Sequence, residues 1–90
     1  MSKVTASHIL VENEEFAEQL MEQITTGESF AKLAQEHSKC PSGKIGGTLG
    51  QFGRGQMVKE FEDAAFALEP GSVTGPIRTQ FGYHLIYRTA

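Results

Sequence analysis

Three side chains with chemically useful groups stand far apart in this 90-residue chain: His8, Cys40 and His84. Each of the two histidines lies in a short apolar run, and each imidazole can donate through one ring nitrogen and accept through the other. With the thiol, they could also form a catalytic zinc site that keeps water as its fourth ligand. Their spacing matches no metal motif, however, and no nearby carboxylate is placed to orient the histidines. The sequence therefore predicts no metal and no cofactor.

The most distinctive segment runs from Gly46 to Met57, where five of twelve residues are glycine. Glycine favours positions where the backbone turns with positive φ or passes close to another group. Leu49, Phe52 and Met57 are spaced among the glycines, which is not typical of a flexible linker. The segment predicts a short strand with tight bends that presents Leu49 and Met57 to a pocket.

Composition limits the classes of protein to which the chain can belong. Its length, 39% hydrophobic content and 21% charged content predict one globular domain over 1–90. A net charge of −3 with scattered basic residues argues against nucleic acid or an anionic membrane as partner. The chain has neither an apolar run long enough to cross a membrane nor the apolar region of a signal peptide. The single cysteine precludes an internal disulfide, so we expect a cytoplasmic protein.

Hydrophobic periodicity predicts the order β-α-α-β-α-β-β, which is an α+β fold and not a doubly wound sheet. Ser29 is the predicted N-cap of the second helix, and Gln80-Phe81-Gly82 is the predicted turn of a hairpin. A loop is expected over 38–44. The predicted strands are 4–11, the glycine-rich segment, 75–79 and 83–88, and the predicted helices are 14–26, 30–37 and 58–68.

Several motifs occur in order along nearly the whole chain, and with them it resembles the parvulin family of peptidyl-prolyl cis/trans isomerases. The resemblance implies a small, antiparallel-rich four-stranded sheet packed with three to four helices, within the FKBP-like superfold. The lack of long flanking segments resembles the small stand-alone members. The motifs are His8-Ile9-Leu10-Val11, Phe30 to Ala34, Ser38 to Gly43, Gly46 to Met57, Phe61 to Phe66, and Gly75-Pro76-Ile77 through Phe81 to Ile86.

The same resemblance implies two sets of site residues. The substrate-binding set surrounds the proline ring, with Phe52 in a supporting place and Gln56 near the substrate backbone. The catalytic set is polar, with the two histidines hydrogen-bonded to each other on neighbouring central strands. Without the resemblance, the histidines and Cys40 are better read as buried core residues. The expected substrate-binding residues are Leu49, Phe52, Gln56, Met57 and Phe61, and the expected catalytic residues are His8, Cys40, Thr79 and His84.

The implied activity is rotation about X–Pro bonds in proline-containing peptides and unfolded protein segments, by a monomer and without a covalent step. Relatives that select phosphorylated residues before proline carry a basic cluster after the first strand. Here that loop reads Glu12-Asn13-Glu14-Glu15, which repels phosphate, so we expect neutral or basic side chains before proline. Two alternatives remain open: a module that binds proline segments without turnover, and a zinc-dependent hydrolase.

Overall fold

The computed structural model describes residues 3–90, and it contains a four-stranded antiparallel sheet and three α-helices. Met1 and Ser2, which the predicted domain 1–90 includes, lie outside the described residues. The predicted α+β class and the order of elements are confirmed. The strands are β1 (Lys3–Val11), β2 (Thr48–Gly53), β3 (Val73–Thr79) and β4 (Gly82–Arg88), and the helices are α1 (Glu14–Thr25), α2 (Phe30–His37) and α3 (Lys59–Ala67).

Side-chain caps begin two of the helices. Asn13 accepts a hydrogen bond from the Phe16 amide at 3.0 Å and so caps α1. Ser29 accepts from the Lys32 amide at 3.3 Å and caps α2, as predicted. These caps satisfy amide donors that a helix cannot pair internally, which fixes where each helix begins.

The prediction of a loop over 38–44 is wrong in part, because Pro41–Ile45 forms a 3₁₀ helix. Pro41 stands at the start of this helix, where its fixed φ suits a helical turn and its missing N–H leaves no bond unmade. Gly46 ends the helix with a φ of +82°. The short helix thereby holds Cys40 and Pro41 rigidly beside the sheet.

The sheet order is β2-β1-β4-β3, so the first and last strands of the chain are the central neighbours. In their antiparallel register His8 pairs with Ile86, and Leu10 pairs with His84. Successive side chains of a strand point to opposite faces. Consequently His8, Leu10 and His84 share one face of the sheet, with the two histidines as diagonal neighbours.

Each face of the sheet has its own hydrophobic core. On one face α1 and α2 pack on Ile9, Val11 and Leu85. On the other face α3 packs through Phe61 and Ala65. The histidine-bearing face is the one that α3 covers, and α3 therefore supplies the roof of any site there. The remaining buried residues of this second core are Val4, Ala6, Phe52 and Ile86.

We expect Gly47→Ala to lower the free energy of unfolding by at least about 2 kcal/mol, measured by urea denaturation. Gly47 has a φ of +85°, and a Cβ there would lie 2.3 Å from the carbonyl oxygen of His8. Gly55 is the matched control, because it has a φ of +91° with open space around it. Equal destabilisation by Gly47→Ala and Gly55→Ala would show that the close approach to β1 is unimportant.

Candidate active site

An open cavity of about 510 Å³ lies between the histidine-bearing face of the sheet and the N-terminal end of α3. Its wall is mostly apolar, and its polar groups come from both ends of the chain. The structure thus brings together most of the residues that the sequence singled out. The lining residues are His8, Leu10, Lys39, Cys40, Pro41, Leu49, Gln56, Met57, Val58, Phe61, Phe81 and His84.

The two histidines bond to each other at one side of this cavity, which is the arrangement expected from the sequence. Nδ1 of His8 lies 3.0 Å from Nδ1 of His84, and the ring planes differ by only 17°. The diagonal register of β1 and β4 places the rings at this separation. His8 is 6% exposed and His84 is 4% exposed, so water competes little for this bond.

Thr79 continues the polar chain behind the cavity. Its Oγ1 lies 2.7 Å from Nε2 of His84, and it accepts a hydrogen bond from the Phe81 amide at 3.2 Å. Thr79 is buried and does not line the cavity, so it reaches the cavity only through His84. At the opposite end of this row of hydrogen-bonded groups, Nε2 of His8 is buried and has no hydrogen-bond partner among residues 3–90.

Burial controls the charge of the pair. Burial, and secondarily repulsion by His84, lower the pKa of His8 from 6.5 to about 4. Burial also lowers the pKa of His84. Both imidazoles are therefore neutral near pH 7, and the pair contributes hydrogen-bonding groups to the cavity without a net charge.

The apolar wall is assembled from three different elements. Leu49 comes from β2, Met57 from the connection between β2 and α3, and Phe61 from the first turn of α3. The Phe61 ring lies perpendicular to both imidazoles, with centroids 5.5 Å from His8 and 5.3 Å from His84. Such edge-to-face contacts hold an aromatic ring in one orientation.

Phe52 does not line the cavity, although the sequence placed it among the substrate-binding residues. It is 3% exposed, and its ring centroid lies 6.1 Å from that of Phe61. Its place on β2 points it into the core below α3. Phe52 supports the wall from behind, so a bound ligand meets Phe61 and not Phe52.

Cys40 and Gln56 both line the cavity and are both engaged with neighbouring groups. The Ser42 hydroxyl donates to Sγ of Cys40 at 3.2 Å. Oε1 of Gln56 accepts from the Gly53 amide at 2.7 Å, which ties the side chain to the end of β2. Neither histidine forms a hydrogen bond with the thiol.

Sequence reasoning missed several lining residues. The clearest signal lay at Phe81, a large aromatic side chain at a hairpin turn, which is 59% exposed at the rim. Leu10 could have been found from its alternation with His8 along β1. The other missed residues, whose positions depend on how loops fold back, are Lys39, Pro41 and Val58.

A second cavity, of about 500 Å³, adjoins the first, and Lys39 borders both. It lies where the start of α1 meets the end of α2, and its apolar side is Phe16, whose ring is perpendicular to that of His37. Three carboxylates line it, and they include two from the acidic loop after β1. These are Glu12, Glu15 and Glu36.

Within residues 3–90, no three or more side chains of His, Cys, Asp or Glu converge in a way that could hold a metal ion. In the same part of the chain, every helix is too short or too polar to cross a bilayer.

Acidification should destabilise the protein through the buried pair. The pKa of His8 is about 4 when folded and 6.5 as a model group, so the unfolded state binds more protons between these values. The contribution of His8 to the free energy of unfolding is therefore fully present above pH 6.5. It decreases by up to about 3 kcal/mol as the pH drops toward 4. Urea unfolding across this range should show much of that dependence lost in His8→Asn. His37→Gln, outside the pair, is the control, and an unchanged profile in His8→Asn would contradict the account.

Comparison with known proteins assigns the family. The model of the rotamase family, a PPIC-type peptidyl-prolyl isomerase domain, matches residues 6–90. The chain is 53% identical over 85 residues to the foldase protein PrsA of Geobacillus sp. (strain WCH70), covering 93% of the chain and 31% of that protein. The chain thus spans about a third of the length of such curated relatives.

Two solved structures show the same fold. NmPin, the parvulin of Nitrosopumilus maritimus, has a TM-score of 0.90 and 48% identity, with 100% of this chain and 98% of that one covered. The peptidylprolyl isomerase PrsA of Bacillus cereus has a TM-score of 0.94 and 48% identity, with 98% of this chain and 34% of that one covered. The chain therefore belongs to the parvulin family of PPIC-type peptidyl-prolyl isomerase domains, as its motifs indicated.

Proposed function

We propose that the chain is a peptidyl-prolyl cis/trans isomerase that accelerates rotation about X–Pro bonds in unphosphorylated polypeptides and so assists folding. The observation that carries the proposal is the wall formed by Leu49, Met57 and Phe61 beside the neutral histidine pair. A proline ring is apolar and compact, and this wall offers it a matching surface. The foldase and parvulin relatives support the same activity.

The reaction needs no covalent or proton-transfer step from the protein. Rotation about the peptide bond faces a barrier of about 18–20 kcal/mol, because twisting removes amide resonance. The planar amide is the more polar state, so an apolar pocket disfavours it relative to the twisted one. A ten-thousand-fold acceleration requires a reduction of about 5.5 kcal/mol, which burial and one or two well-placed hydrogen bonds can supply.

A covalent route through Cys40 has no support in the geometry. A nucleophilic thiol needs a neighbouring base or cation that favours its thiolate form. Neither histidine hydrogen-bonds to Sγ of Cys40, whose hydrogen-bond partner is the Ser42 hydroxyl. Cys40 serves this function as part of the pocket wall beside Pro41.

The charge of the protein near the pocket indicates which residues it accepts next to proline. Proline-containing peptides and unfolded protein segments are the proposed partners. The second cavity, which shares Lys39 with the proline pocket, carries three carboxylates, and their charge favours neutral or basic residues next to proline over phosphorylated ones. The net charge of −3 and the free thiol of Cys40 support a monomeric, cytoplasmic protein that binds neither nucleic acid nor membranes, and these features stay predictions.

Exchange NMR on an unphosphorylated X–Pro peptide tests the activity. Catalytic amounts of the protein should speed the exchange between the cis and trans forms of the peptide and so broaden their signals. Met57→Ala should lower kcat/KM about tenfold, because it removes one side of the pocket, with little loss of stability. Met21→Ala, the same truncation in α1 on the opposite side of the sheet, should keep activity per folded molecule.

The outcomes separate the enzyme from a binding module. Shifted peptide signals without faster cis/trans exchange would overturn the proposed activity in favour of proline-segment binding alone. Loss of folding in Met57→Ala, with unchanged activity in the molecules that remain folded, would show that the pocket is misplaced.

Reversing the charge of the acidic loop tests the substrate preference. The triple variant Glu12→Lys, Glu14→Lys and Glu15→Lys should raise kcat/KM for a phosphoserine–proline peptide about tenfold relative to the unphosphorylated one. Lysines at Glu18, Glu22 and Glu28, exposed positions farther along the chain, give the same change in net charge and serve as the control. An equal response of both variants, or no response, would show that the loop does not face the residue beside proline.

A further inference from the structure

The connection between β2 and α3, residues 54–58, carries Met57 into the wall of the proposed proline pocket. Among residues 3–90, no backbone group of 54–57 forms a hydrogen bond with another backbone group. Arg54, Gly55 and Gln56 are exposed to solvent. The path of this connection is therefore set by side-chain contacts, and not by the ladder bonds of a sheet or helix.

One carboxylate makes two of these side-chain contacts. Oε1 of Glu62 accepts a hydrogen bond from the Gly55 amide, and Oε2 lies 3.0 Å from Nη1 of Arg54. Hydrogen bonds to a charged acceptor are roughly twice as strong as those between neutral groups. The Glu62 side chain is only 12% exposed, so water competes little for either bond. We call the group formed by Arg54, Gly55 and Glu62 the Glu62 clamp.

The clamp encloses several residues of the pocket. The N-cap of α3 is Val58, whose side chain makes no capping hydrogen bond. In a capping box, an acidic residue of the first turn accepts from the amide of the N-cap itself. Glu62 reaches farther back, to an amide three residues before the N-cap, and so it closes a longer loop. The pocket-lining residues inside this loop are Gln56, Met57, Val58 and Phe61.

Arg54 is held against α3 by a second contact. Its guanidinium carbon lies 4.5 Å from the centroid of the Phe66 ring, which is a cation–π contact. The Phe66 ring packs in turn on the core that α3 covers. Asp63 is a weaker partner of Arg54, because its Oδ1 lies 3.4 Å from Nη1 and its side chain is 54% exposed. Glu62 is therefore the carboxylate that fixes the connection.

We infer that Glu62 is a positioning residue of the proposed isomerase, and that its carboxylate fixes Met57 relative to Phe61 through the connection between β2 and α3. Glu62 does not line the pocket, so it acts on a bound peptide only through the residues that it positions. Methionine is a flexible side chain, and a pocket wall that contains it depends on a fixed backbone. This role rests on the proposed function for its significance.

The clamp should act on binding more than on the rotation step. Without it, the free protein would divide its time between conformations with Met57 in the wall and conformations without it. A peptide binds the first kind, so its apparent affinity falls with the fraction of molecules that are competent. The complex, once formed, has the same wall as before. Loss of the clamp should therefore raise KM and leave kcat nearly unchanged.

Variants of Glu62 test this split by exchange NMR at several concentrations of an unphosphorylated X–Pro peptide. Glu62→Ala removes both bonds and should raise KM about fivefold, with kcat within about twofold of the wild type. Glu62→Gln keeps an oxygen for the Gly55 amide and should recover most of the affinity. Asp63→Ala removes the same charge from the next position and should keep the wild-type KM. An unchanged KM in Glu62→Ala, or an equal rise in Asp63→Ala, would overturn the role of Glu62.

The position of Met57 can be followed without any peptide, in protein labelled with ¹³C at the methionine methyl groups. In Glu62→Ala the Met57 methyl signal should move toward that of a solvent-exposed methionine, and the Gly55 amide should exchange with solvent at least about tenfold faster. The Met21 methyl, on the opposite face of the sheet, should keep its signal and so show that the fold is intact. A Met57 signal that does not move in Glu62→Ala would refute the clamp.

The clamp and the activity fail separately. If the Met57 signal moves as expected and the wild-type protein shows no turnover, the isomerase proposal fails while the clamp stands. If the wild-type protein turns over the peptide and Glu62→Ala changes neither KM nor the Met57 signal, the isomerase stands and the clamp is refuted.

Discussion

The hydrogen bond between His8 and His84 joins residues 76 positions apart in the sequence, and the site depends on it. It exists because the first and last strands of the chain are neighbours at the centre of the sheet. The perpendicular ring of Phe61 packs against both imidazoles, so α3 is positioned by the same pair. The histidine pair thus supplies the polar groups of the site and also positions the apolar side chain of α3 that packs over them.

Burial keeps the two imidazoles of this pair uncharged. Imidazoles in contact with water titrate near neutral pH, but here the low pKa of His8 keeps the ring uncharged over the physiological range. A charged pair would hold water and favour the more polar, planar amide. A neutral pair offers directed N–H and nitrogen groups while the pocket stays apolar. The carboxylates Glu12, Glu15 and Glu36 line the second cavity and not the one beside the histidine pair.

Much of this architecture could be predicted from the sequence, because it follows from local patterns. The resemblance to the parvulin family placed His8 and His84 together on neighbouring central strands, and glycine spacing indicated that Leu49 and Met57 line a pocket. The 3₁₀ helix at Pro41–Ile45 was missed because five residues carry too little periodicity to distinguish a short helix from a loop. Phe52, which the resemblance included in the substrate-binding set in a supporting place, is buried behind Phe61 and does not line the cavity.

Other features were beyond sequence reasoning because they depend on tertiary contacts. Phe81 and Lys39 reach the pocket from a turn and a loop whose paths are set by neighbouring elements. The contacts of Thr79 with His84 and with the Phe81 amide depend on a hairpin whose path only the folded chain determines. Residue types alone do not show which donors and acceptors meet in three dimensions.

The central claim is that a proline ring occupies the cavity beside the histidine pair, and intermolecular nuclear Overhauser effects test it most directly. With a saturating X–Pro peptide, the account predicts contacts from the proline ring protons to the Met57 methyl group and the Phe61 ring. Contacts to Phe16 and His37 in the acidic cavity instead, or none to Met57 and Phe61 at saturation, would contradict it.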